Sequence, residues 1–180
     1  MKRLLALVLA VLILATLAGA LAGCGGDTAQ AKADMKNADL LWAKVVADSN
    51  QVAGKVTAAY GDITDPAKFK AAVDGLNAFL DGIDKKVEVA QASYQKIKTL
   101  KGVPDYATYA GMQVDLNGLI KEMTSQLKTL LTQLQEAVTA ADQARLDSIQ
   151  QNFEPAFTAL SDKVNKLENQ AKQFKADKNL

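Results

Sequence analysis

Apolar residues recur along four stretches of the chain in alternating steps of three and four. The most regular stretch runs Phe69, Val73, Leu76, Leu80, Ile83, Val87, Ala90, Tyr94, Ile97, with no polar residue in the series. This spacing keeps one face of an α-helix turned toward a partner, because 3.5 residues pass per turn of the seam. A second series runs from Tyr106 and Tyr109 through Leu116, Ile120 and Leu127 to Ala137, with Gln113 as its one polar member. An earlier series joins Ala38, Trp42, Val45, Ser49, Val52, Val56 and Ala59, and a last one runs from Leu146 through Phe153, Phe157 and Leu167 to Phe174. Four amphipathic helices are expected.

Turn chemistry separates them. Gly61 is placed to end the first helix, and Asp65 to cap the second with Pro66 at its first position, where a missing N–H costs nothing. Gly102 to Pro104 repeats the arrangement, with Asp105 favourable at a helix start. Thr139 to Asp142 reads as a capping box with aspartate in the usual glutamate place. Short links between helices of similar length force antiparallel neighbours, so the fold expected is all-α: an up-down-up-down four-helix bundle of long helices. About 35 residues per helix make it about 50 Å long. Pro155 removes a helical hydrogen bond, and a kink near 151–155 is expected there rather than a chain reversal. Leu131 and Val138 flank the third seam and read as exposed positions open to a second copy.

The amino terminus follows another pattern. Lys2 and Arg3 precede a run from Leu4 to Ala22 without a charge, a basic start and apolar middle of the kind that opens a secretory signal peptide. As a helix the run would span about 28 Å. It closes on Leu21, Ala22, Gly23 and Cys24, which resembles the lipobox of bacterial lipoproteins. The resemblance implies that residues 1–23 are a helical signal peptide cut before Cys24. It implies too that the Cys24 sulfur carries diacylglycerol, with the new α-amino group open to a further acyl chain. Residues 24–30 then form a lipidated cysteine and short tether, and residues 31–180 the bundle. Such a chain is exported and held at the extracytoplasmic face of the cell membrane. In a two-membrane organism Gly25, which is not the retention aspartate, leaves the outer membrane open.

Composition removes several chemistries. The chain has 180 residues, no histidine and one cysteine, so histidine general bases, histidine-bound metals and internal disulfides are excluded. With a formal net charge of +1 and Arg145 the only arginine beyond the leader, a nucleic-acid partner is not expected. Calcium loops, phosphate loops and nucleophile elbows are missing. No enzyme, cofactor or metal is expected, apart from the lipid on Cys24.

The remaining candidates are surfaces. Folding the seams back on their loops brings Tyr94, Tyr106, Tyr109 and Phe174 to the level of Met35 and Met112, as candidate contacts for an apolar ligand or a partner. Asp81, Asp84 and Glu88, with Lys85 nearby, read as a solvated charged face. Glycines seven apart, such as Gly75 and Gly82, read as solvent-facing. The tethered end holds nine lysines against seven acids (residues 27–41, 90–115 and 166–180), and the far end four bases against eight acids (residues 48–75 and 131–154). These features favour a non-catalytic binding or scaffolding lipoprotein at the envelope, facing an envelope protein or glycan. A small-ligand-binding bundle is the alternative.

Overall fold

The computed structural model describes residues 27–180; the signal peptide, Leu21, Ala22, Gly23 and Cys24 lie outside the described residues. The first link shows how local chemistry sets the topology. Helix α1 (Thr28–Gly61) is followed by a tight turn in which the Asp65 N–H donates to the Asp62 carbonyl at 2.9 Å. The Asp65 carboxylate then accepts from the N–H groups of Ala67 and Lys68, and Pro66 opens helix α2 (Pro66–Lys98). Two donors left free at the new helix end are thereby satisfied. Tyr60 and Phe69 pack across the turn with ring centroids 6.5 Å apart, closing the hydrophobic layer beneath it.

Helix α3 (Pro104–Thr139) and helix α4 (Gln143–Asp177) complete an all-α, antiparallel four-helix bundle. The helices have 34, 33, 36 and 35 residues. At 1.5 Å per residue each is about 50 Å long. Consecutive helices pack directly on one another, and α1 also meets α3 across the diagonal. The joint between α1 and α4 differs: no Cα of one lies within 8 Å of a Cα of the other, so side chains alone span it. Among the described residues no helix is long and apolar enough to cross a membrane.

The seam of α2 is buried from end to end, from Phe69 to Ile97. A fully buried side chain of this size contributes about 1.5–3 kcal/mol. The core has two parts. The larger, upper one holds Val45, Leu80, Leu116, Leu130 and Leu160; the lower one holds Met35, Tyr94, Ile97, Tyr109 and Ala171. Trp42 is partly buried and packs against both.

Three local expectations are corrected. Leu131 and Val138 are buried, at 1% and 8% exposure, not open to a second copy. Buried α3 residues recur every seven on that flank, through Ala110, Asn117, Thr124, Leu131 and Val138, and Thr124 bonds to Asp84 of α2, so α2 covers it. Gly61 is the last residue of α1, as its place in the sequence suggested, and Asp62 follows as the C-cap with φ −97°. Thr139 to Asp142 is not a capping box. Asp142 is itself the N-cap of α4 and accepts from the Arg145 N–H at 2.9 Å. Before it, Ala141 takes a left-handed φ of 52°, with Ala141 N–H on the Val138 carbonyl and Asp142 N–H on that of Ala137. That is a Schellman ending with alanine where glycine is usual. Finally, Thr28 to Gln30, read as tether, are already helical.

Helix α4 continues through Pro155 without reversing, and Phe153 stacks on Phe157 at 4.9 Å. An added Cβ at Gly54, Gly61, Gly75, Gly82, Gly111 or Gly118 would meet no atom within 4 Å, consistent with solvent-facing positions.

Two substitutions separate these local terms. Ala141→Gly relieves a left-handed alanine, offset in part by a freer unfolded chain, and is expected to stabilise by about 0.5 kcal/mol. Asp65→Ala removes a cap and is expected to cost about 1 kcal/mol. Urea unfolding followed by Trp42 fluorescence checks both.

Candidate functional site

Each of the four helices sends one polar side chain to the same point in the lower core. Asp39 of α1 stands one residue past the seam position Ala38, half-buried, on the flank of its helix. Its Oδ1 accepts from the Tyr94 hydroxyl of α2 at 2.6 Å and from the Tyr109 hydroxyl of α3 at 3.2 Å. Its Oδ2 pairs with Lys175 Nζ of α4 at 2.5 Å. The ammonium also lies 5.4 Å from the centre of the Tyr109 ring. Among the described residues Asp39 and Lys175 are thus the ion pair that crosses the α1–α4 joint.

The cluster continues into the bundle. Gln113 Nε2 donates to the Tyr109 hydroxyl at 3.0 Å, and Asn117 Nδ2 donates to the Gln113 carbonyl at 2.6 Å. Gln113 Oε1 and Asn117 Oδ1 are buried without a hydrogen-bond partner. Gln113 and Glu168 fall between the upper and lower core residues of their own helices, so a polar layer separates the two parts. Glu168 is 7% exposed and pairs with Lys172 one turn on, at 2.5 Å. Tyr94 and Tyr109 rings meet edge to face, 6.2 Å apart.

This environment holds protons on the tyrosines. Burial, and after it the Asp39 carboxylate, pushes both the Tyr94 and the Tyr109 hydroxyl far above their ordinary value, since a phenolate would be dry and beside a like charge. Both act as donors over the ordinary pH range. At the other end of the bundle burial pushes Tyr60 up to about 12.

The four aromatic residues singled out from sequence do gather at this end. Tyr94 and Tyr109 are buried, at 0% and 5% exposure, with both hydroxyls on Asp39. Tyr106 and Phe174 are half-buried and pack against the lower core from its rim. Asp39 and Lys175 were not legible as site residues. The available signal was Gln113, a polar residue in an otherwise apolar seam, which marks the level at which other helices must supply partners.

The acidic stretch of α2 is also more than a solvated face. Lys128 of α3 bridges Asp81 at 2.7 Å and Asp84 at 2.5 Å, Thr124 donates to Asp84, and Lys121 pairs with Glu88 at 2.9 Å. The hydrogen bond from Lys128 holds the Asp81 carboxyl below its usual range. Lys85 makes none of these ion pairs. These groups join α2 to α3; among the described residues no acidic cluster is arranged to hold a metal ion.

Removing the hub acceptor strands two hydroxyls and an ammonium, so Asp39→Ala is expected to cost about 3 kcal/mol. Asn117→Leu, which replaces an unpartnered buried amide, is expected to be neutral or stabilising. Alkaline unfolding tests the tyrosines. The folded chain keeps these protons above pH 10.0, where unfolded tyrosine loses them, so stability is intact below that value and falls as pH rises through it. Each raised tyrosine contributes a slope of about −1.4 kcal/mol per pH unit. The Tyr94→Phe, Tyr109→Phe double variant should show a visibly flatter decline in urea titrations above this pH.

The chain matches no protein-family model, no curated protein and no solved structure.

Proposed function

We propose that the chain is an extracytoplasmic lipoprotein whose helical bundle is a non-catalytic binding or scaffolding module at the cell envelope. The observation that carries this reading is the sequence Leu21-Ala22-Gly23-Cys24 at the end of a charge-free apolar run. On this reading residues 1–23 are removed, Cys24 carries diacylglycerol and a further acyl chain on its α-amino group, and the membrane is the constant partner. Two or more chains are needed, because a single chain gives only marginal binding while each buried methylene adds about 0.8 kcal/mol. The facing partner is an envelope protein or glycan.

Placement of the bundle supports the same reading. The helix begins at Thr28, so Gly25 to Asp27 are the whole tether between lipid and bundle. The densest polar cluster supports the non-catalytic part: Asp39, Tyr94, Tyr109 and Lys175 satisfy one another across four helices, an arrangement suited to rigidity rather than turnover.

A second reading, a small-ligand-binding bundle, is favoured by one observation. Gln113 Oε1 and Asn117 Oδ1 are buried acceptors without donors, and Tyr106 and Phe174 lie half-buried at the rim of the same end. A ligand carrying hydrogen-bond donors on an apolar body would suit them.

Labelling with radioactive palmitate, wild type against Cys24→Ala, tests the anchor: label is expected in the wild type alone, and equal label in both would refute it. Crosslinking in cells then identifies the partner. A ligand of the second kind would raise the melting temperature, by about 2.7 kcal/mol of stabilisation at a hundredfold excess over its Kd. Asn117→Leu should abolish that rise.

A further inference from the structure

The lower end of the bundle gathers the start of α1, the α2–α3 loop and the end of α4. The Lys101 N–H donates to the Asp27 carboxylate at 2.8 Å, and Lys178 pairs with Asp105 at 3.2 Å. Two helix N-termini and two C-termini meet here, so their dipoles offset and the side chains set the sign of the surface. Lys32, Lys96, Lys98 and Lys101 have no acidic side-chain partner among the described residues, while Asp105 is paired with Lys178. Asp27, whose partner is a neutral N–H, keeps its charge, so Asp27, Asp34 and Asp177 stand against these four lysines and leave an excess of one positive charge. Leu100, Leu180 and Phe174 are half-buried at the same end, packed against the lower core.

The chain outside the described residues leaves from this end. From Asp27 it is three peptide steps back to Cys24, at most about 11 Å. The Debye length in physiological salt is about 8 Å, so these lysines feel a charged surface at Cys24 strongly only when this end of the bundle lies against it.

We propose that this end is a docking surface for an anionic lipid bilayer. Lys98 and Lys101 lie against the headgroups, and Leu100 and Leu180 meet the interface beside them. The bundle then stands on the membrane with its acidic end outermost, instead of swinging on its tether. The inference rests on the reading that the amino-terminal run brings the chain to a membrane, by lipid or by the run itself.

The test uses the full chain, purified from the membranes in which it is made and added to phosphatidylcholine vesicles with and without phosphatidylglycerol. Vesicles are floated, and lysines are acylated with a sulfonated succinimidyl ester and read by mass spectrometry. A surface potential of about −30 mV alone depletes such an anion about threefold. On anionic vesicles Lys98 and Lys101 are expected to react more than threefold slower, relative to Lys68 and Lys70 at the far end, than in detergent. Neutral vesicles should give little protection. Lys98→Glu with Lys101→Glu, both exposed positions, should still float but lose the protection of Lys32 and Lys96.

A floating chain whose lysine ratios match detergent on both vesicles overturns the docking surface and leaves the anchor standing. Protection of Lys32 and Lys96 that survives the double substitution also overturns it, because nearness to the tether would then suffice. A Cys24→Ala chain that floats and stays protected removes the lipid from the proposed function while the docking surface stands. A wild-type chain that does not float overturns both.

Discussion

The Asp39 carboxylate is the constraint on which the rest of the bundle depends. Heptad seams by themselves tolerate sliding, because a shift of seven residues, about 10 Å, places apolar residues on apolar residues again. Asp39 removes that freedom. It needs the Tyr94 hydroxyl, the Tyr109 hydroxyl and the Lys175 ammonium at one level, each from a different helix. Any slip leaves a carboxylate and two hydroxyls facing apolar layers, and buried polar groups without partners are costly. Register is thus set by a few polar atoms, and stability by the seams around them.

The same cluster explains why one joint differs from the others. Along α1–α2, α2–α3 and α3–α4 the backbones come close, whereas α1 and α4 meet through side chains. Lys175 reaches Asp39 across that gap, a length of side chain that a closer approach would not accommodate. Buried Glu168, on the same helix, pairs with its neighbour Lys172 and not across the joint. The joint is closed by side chains, with this ion pair beside the apolar residues that both helices give to the core. Charges half-buried in this way are screened less by salt than surface pairs, so the closure holds at ordinary ionic strength.

How much of this was legible varies by element. Seam residues such as Val73, Leu80 and Ile83 are buried where their spacing put them, because a period of 3.5 leaves a helix one way to face its partner. The caps at Asp65 and Pro66 were equally plain, since their chemistry acts within three residues. Leu131 and Val138 were misread for a reason of topology. A residue flanking a seam is exposed on an outer helix of a sheet-like row but covered where two neighbours pack against one helix, as α2 and α4 pack against α3. Ala141 was unreadable because alanine carries no mark of a left-handed turn.

The sequence alone determined the class of fold, the number and direction of its helices and the chemistry absent from it, since periodicity, capping and composition act locally or by simple count. It also supplied the lipobox resemblance, a pattern of neighbours. Tertiary structure decided the rest: that Asp39 and Lys175, 136 positions apart, form one pair, that Lys128 and not Lys85 answers the α2 acids, and that Thr28 already belongs to the bundle. Such partnerships depend on the relative height of helices. That height is fixed only when all four are packed, and no spacing within a single helix records it.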